Sequence, residues 1–120
     1  MLEKDEILTE IVIPKLDGYV SKYSKFRMRD SIDFAMASIA YAYKLEGGKI
    51  ADIRVVLGAV APVPLKLYAV EEFLKGKTPT KDLAKETAEL AAEGAAGIGQ
   101  NSYKVQEVKA FIERMVISMI

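Results

Sequence analysis

The sequence predicts an α+β fold, an antiparallel sheet with a helical layer on one face. Three observations predict it. Segments in the first half place β-branched and aromatic residues at or near period two. A paired-glycine turn, Gly47-Gly48, joins two such segments. The second half repeats apolar residues at helical spacing between cap and glycine signals. Strands first and helices afterwards imply the two-layer arrangement.

The first strand is expected over Ile7 to Ile13, with Ile7, Thr9, Ile11 and Ile13 on one face and Leu8, Glu10 and Val12 on the other. Pro14 ends it, and Lys15-Leu16-Asp17-Gly18 reads as a turn. Tyr19 to Met28 alternates less cleanly, but its aromatics make it a second strand. Ile32 to Lys44 admits two readings. Its alanines favour a helix; its direct run into Glu46-Gly47-Gly48-Lys49 favours a strand over Phe34 to Tyr43, because a hairpin needs two strands. Lys49 to Val60 follows as a strand, with Ile53, Val55 and Leu57 opposite Asp52 and Arg54.

Pro64 is acceptable at a helix start, where its missing N–H would be unpaired anyway. Leu67, Val70 and Leu74 then repeat at helical spacing, and Gly76 is placed to close that helix. Thr78 or Thr80 caps the next helix, whose stripe is Leu83, Thr87, Leu90 and Ala91. The glycine-rich stretch Gly94 to Gly99 ends it. Asn101 or Ser102 caps the last helix, with Val105, Val108, Phe111 or Ile112, Met115 and Met119 inward. No internal repeat or low-complexity tract interrupts the 120 residues, which are expected to form a single domain over 1–120.

Composition excludes several functions. Lysine plus arginine equals aspartate plus glutamate at 17 each, without the basic excess of a nucleic-acid binder. There is no cysteine, so disulfides, thiolate clusters and cysteine nucleophiles are ruled out within this chain. There is no histidine, so the commonest general base and metal ligand are missing and Ser-His-Asp catalysis is impossible. No metal site is expected. The charged N-terminus has no apolar signal core behind it, and no run is long enough to cross a bilayer. The expected compartment is the cytoplasm.

Three segments invite a functional reading, each beside a plainer one. Gly58-Ala59-Val60-Ala61-Pro62-Val63-Pro64 is compatible with close approach of backbone to a ligand. The better reading on spacing alone is a strand exit stopped by prolines. Lys25, Arg27 and Arg29 would share one face of a strand as a cationic stripe, though such a stripe is usually a solvated edge. Gly94 to Gly99 lacks the preceding strand of a phosphate loop and reads as a linker between helices. The apolar C-terminus, Val116 to Ile120, is compatible with burial or with docking a partner.

Together these segments resemble a known family, the C-terminal domain of the FAD-binding subunit of molybdenum hydroxylases of the xanthine dehydrogenase and carbon monoxide dehydrogenase kind. Glu6 to Pro14 resembles the opening EILTEIxIP segment. Tyr23 to Ala35 matches YxKxxxRxxxDxA through Tyr23, Lys25, Arg29, Asp33 and Ala35. Gly58 to Gly76 matches GxVAPxPxxxxxxExxLxG, and Ser102-Tyr103-Lys104 is similar to the family's last helix start, one residue shorter. The four lie in the family's order over nearly the whole chain.

The resemblance implies a three- to four-stranded antiparallel sheet packed against three helices, and it decides for strand at Phe34 to Tyr43. It also implies a role. A larger domain, absent from this sequence with its glycine-rich loops, would bind the adenine and pyrophosphate of FAD. This domain would close over the flavin, with Leu8 against the isoalloxazine ring and Lys25 at its polar edge, where a cation stabilises charge developing on reduction. Arg29 and Asp33 are assigned to structural pairing.

The resemblance further implies partners: an FAD-binding domain or subunit, and iron–sulfur and molybdenum subunits whose clusters pass electrons to FAD. The chain alone is not expected to hold FAD tightly or to catalyse. One departure is the neutral Gly99-Gln100-Asn101 where the family often has an acidic residue, which puts a charged contact there in doubt. Because the chain starts with Met1 where the domain starts, the alternative is a stand-alone, non-catalytic assembly or homodimerisation module using its apolar C-terminus.

Overall fold

The computed structural model describes residues 2–120. It has four strands, β1 (Val20–Phe26), β2 (Ala37–Glu46), β3 (Lys49–Gly58) and β4 (Leu65–Lys66), and three helices, α1 (Tyr68–Leu74), α2 (Lys81–Ala91) and α3 (Tyr103–Ile117). The strands form one antiparallel sheet in the order β1-β2-β3-β4. Gly47 and Gly48 take φ of 58° and 76°, the left-handed pair that a tight hairpin between β2 and β3 requires. The segment whose alanines favoured a helix is therefore strand from Ala37 onward.

Period two decides the layers. Ala37, Ile39, Tyr41 and Tyr43 face the same side as Ile53, Val55 and Leu57 and are buried with them. Across that face lie Val70 and Leu74 of α1, Leu83, Ala84 and Ala88 of α2, and Val108, Phe111, Ile112, Met115 and Val116 of α3. Tyr23 and Lys25 of β1, Ala40 and Ala42 of β2, and Arg54 and Val56 of β3 lie on the opposite face of the sheet, outside the core that the described helices form. A shift of register between Lys44 and Leu45 lets Ile50 rejoin the buried side.

The outer edge of β3 is covered piece by piece. β4 pairs with Val56 and Leu57. Val55 donates its N–H to Glu71 Oε1 at 2.8 Å and accepts from Leu67 N–H at 3.0 Å. Ile50 exchanges both its groups with Gly76 and Lys77, at 2.7 and 2.9 Å. A buried carboxylate thus stands in for a strand neighbour, which keeps the Val55 N–H paired.

Three sequence expectations are corrected. Ile7 to Ile13 is not a strand: no described segment pairs with it, and Ile7, Ile11 and Ile13 are 86%, 77% and 85% exposed. An alternating pattern supplies one face for burial but not the hydrogen-bonding neighbour a strand needs. The second strand stops at Phe26, so Arg27 and Arg29 do not extend a stripe from Lys25. Helix α1 begins at Tyr68 and not at Pro64, because Leu65–Lys66 first pairs with β3. Gly76, at φ 76°, follows the C-cap Lys75 and closes α1 as expected; its own N–H passes to Ile50 C=O at 2.7 Å, while Lys77 N–H returns to Leu74 C=O at 3.2 Å.

Thr80 caps α2 as expected, its Oγ1 accepting from Leu83 N–H at 3.1 Å. Neither candidate caps α3 with its side chain in the usual way. Ser102 is helical and makes no cap bond, while Asn101 Oδ1 instead accepts from Ile98 N–H at 2.6 Å in the preceding loop. At the C-terminus, Val116 and Met119 are buried and Ile120 is exposed.

Candidate functional site

Lys25 stands one residue before the end of β1, opposite Ser38 of β2 and on the helix-free face. Beyond Phe26 the chain leaves the sheet in a tight loop and returns where Met36 N–H reaches Phe26 C=O at 2.8 Å. Asp33 organises that loop. Its Oδ2 accepts from Met28 N–H at 3.0 Å and from Arg29 N–H at 2.8 Å, and its Oδ1 lies 3.6 Å from the Arg29 guanidinium. Arg29 also donates to Ile32 C=O at 3.2 Å. The expected pairing of Arg29 with Asp33 is present.

These bonds act electrostatically as well as geometrically. Chiefly the Arg29 N–H, and with it the Met28 N–H and the Arg29 guanidinium, holds the Asp33 carboxyl below the usual carboxylate range. The loop therefore keeps its charge at neutral pH. The Asp33 main-chain carbonyl then accepts a hydrogen bond from Lys25 Nζ at 2.9 Å. An ammonium has three donors, so two remain for another acceptor. Tyr23, 63% exposed and two residues earlier on the same face, is a flat neighbour that composition and spacing did not single out. Its place in the YxK pattern was the available signal.

Leu8 is not brought to this cluster. It lies on the unpaired N-terminal arm and is 62% exposed. The Gly58 to Pro64 segment is shaped by contacts within the chain. A Cβ on Gly58 would come 2.4 Å from Ser38 Oγ, Ala59 takes a φ of 61°, and Lys104 Nζ donates to Ala59 C=O at 2.6 Å. That is the strand-exit reading with a lysine clasp from α3. Lys104 thus has an internal role that its place in the Ser-Tyr-Lys motif did not reveal.

The site is thus a lysine held on one face of a four-stranded antiparallel sheet whose other face is covered by helices. Comparison with known proteins gives the family. Residues 21–119 match the family described as the CO dehydrogenase flavoprotein C-terminal domain, and the chain belongs to it. The glyceraldehyde dehydrogenase medium chain of Sulfolobus acidocaldarius is 35% identical over 119 aligned positions, covering 92% of this chain and 42% of that one. The xanthine dehydrogenase FAD-binding subunit of Escherichia coli O157:H7 is 30% identical over 73 positions, 59% of this chain and 25% of that one. The solved carbon monoxide dehydrogenase of Hydrogenophaga pseudoflava superposes with a TM-score of 0.73 at 29% identity, over 83% of this chain and 36% of its own. The chain spans about two fifths of the first of these relatives.

The family implies a flavin, and the residues present fit part of one. Lys25, with two donors free on an uncovered face beside Tyr23, suits the electron-rich carbonyl edge of a flat ring. The pyrophosphate has no counterpart among the described residues: the stretch Gly94 to Gly99 lies between α2 and α3, not after a strand. No described helix is long and apolar enough to cross a membrane.

Proposed function

We propose that this chain is the domain that covers the flavin in the FAD-binding subunit of a molybdenum hydroxylase-type oxidoreductase. FAD would be shared with an FAD-binding domain or subunit, and the chain would help seat that flavoprotein against its iron–sulfur and molybdenum partners. When bound, FAD supplies the electron acceptor for the clusters. Lys25 would donate to the polar edge of the isoalloxazine ring, favouring the added negative charge of the reduced form. Leu8 would pack on the ring once the N-terminal arm is docked, excluding water from it. With no histidine or cysteine in its sequence, the chain would not catalyse alone. The observation that carries this reading is the lysine fixed on the helix-free face.

The test is gel filtration of the chain with FAD, with and without the matching FAD-binding domain, following protein and flavin absorbance together. Co-elution of flavin with the pair supports the reading. A chain that never associates with that domain and runs alone without flavin overturns it.

A second reading, a non-catalytic assembly module or homodimer, is favoured by one feature. Ile7, Ile11, Ile13, Met28, Ile32 and Phe34 are all exposed. So much apolar surface points to an interface. It would lie on the arm and the 28–34 loop more than on the C-terminus, where Val116 and Met119 turn inward.

A further inference from the structure

We propose that Asp33 is the positioning residue for Lys25: its carboxylate folds residues 28–33 into a clip, and the clip's own carbonyl holds the Lys25 ammonium in place on the helix-free face. The proposal rests on the reading that Lys25 meets the flavin and adds the residue that aims it.

A lysine on an exposed strand normally spreads over many rotamers, and ordering it costs side-chain entropy. Here Nζ is held at 2.9 Å by Asp33 C=O, eight residues along the chain. That carbonyl is where it is because the same residue's carboxylate gathers the Met28 and Arg29 N–H groups. Arg29 closes the clip from outside, through Asp33 Oδ1 and Ile32 C=O. Ile32 is driven to φ 46°, a left-handed conformation that a β-branched residue keeps only when its surroundings impose it.

The charges sort accordingly. Asp33 partners the Arg29 guanidinium with its carboxylate and Lys25 with its neutral carbonyl. Lys25 is therefore oriented without being neutralised, and its charge stays available to an anionic ring edge. A fixed donor needs no reorganisation when that charge develops, which is the advantage of preorganisation.

The first test needs no flavin. In the full chain, acetylation of Lys25 by acetic anhydride is followed by peptide mass spectrometry, with Lys22 of the same strand as internal reference. Asp33→Ala should speed Lys25 acetylation about threefold to fivefold, the scale of one lost hydrogen bond, and leave Lys22 unchanged. Asp33→Asn, which keeps an acceptor oxygen but not the charge, should fall between; it carries the test if the alanine variant does not fold. Equal Lys25 rates in the wild type and in whichever variants fold overturn the proposal.

The second test uses the enzyme assembled with its FAD-binding partner and reads the flavin midpoint potential. Lys25→Ala should lower it, Asp33→Ala should lower it by no more, and the double variant should match Lys25→Ala alone. Additive shifts would mean that Asp33 acts by another route, and the proposal fails. If Lys25→Ala leaves the potential unmoved while Asp33→Ala still releases Lys25 to acetylation, the flavin reading falls and the positioning stands.

Discussion

Glu71 is the buried carboxylate on which the sheet edge depends. Its Oε1 takes the Val55 N–H at 2.8 Å and its Oε2 lies 3.6 Å from Lys66 Nζ. Glu71→Ala should therefore destabilise by about 2 kcal/mol, since it strands a buried N–H, and Glu71→Gln by less; urea unfolding checks both. Gly58 makes the complementary test of close packing. Gly58→Ala brings a Cβ to 2.4 Å from Ser38 Oγ, and the cost should largely vanish in the Gly58→Ala, Ser38→Ala double variant. Acid sensitivity belongs to this scale too. Asp33 is held down chiefly by the Arg29 N–H, and Asp52 chiefly by the Tyr19 hydroxyl that donates to it at 2.6 Å. A carboxyl whose folded value lies below its unfolded value of about 3.9 contributes stability that is present above that pH and lost as pH falls through the folded value. Melting temperatures should fall as the pH drops below about 4, and Asp33→Asn with Asp52→Asn should flatten that fall.

Among the elements, the N-terminal arm differs most from its sequence pattern. It has a strand's alternation and no strand's partner, and none of its residues enters the core. Deleting residues 2–13 should leave the melting temperature of the rest nearly unchanged while abolishing association with the FAD-binding partner. Hydrogen exchange offers the same test without a deletion: amides 7–13 should exchange freely in the chain alone and become protected in the complex. Helix α2 depends on a local device instead. Thr80→Ala removes the acceptor for Leu83 N–H and should cost about 1 kcal/mol. The hairpin, the α2 cap and the inward stripes of α2 and α3 were legible in the sequence, because each follows from neighbours a few residues apart. The clip at 28–33 was not, although both Arg29 and Asp33 were visible as a pair. Nothing in their spacing says that the carboxylate binds two main-chain N–H groups or that its carbonyl takes Lys25.

Across the whole molecule, the radius of gyration is 16.1 Å, above the roughly 14 Å expected for a compact chain of this length. The exposed arm, which stays outside the core, accords with the excess. A sheet with helices on one face only, an apolar arm and an apolar loop tip is a molecule with surface still to bury. The sequence by itself determined the two-layer class, the hairpin, the three helices, the lack of histidine and cysteine chemistry, and the family through its ordered motifs. These are set by periodicity, local turn chemistry and composition, which act over short stretches of chain. Only the tertiary structure decided that Ile7–Ile13 stays unpaired, that Glu71 completes the edge of β3, and that Asp33 holds Lys25. Each of those outcomes turns on whether a hydrogen-bonding group finds its partner in space, and a linear pattern supplies the group without saying where the partner will be.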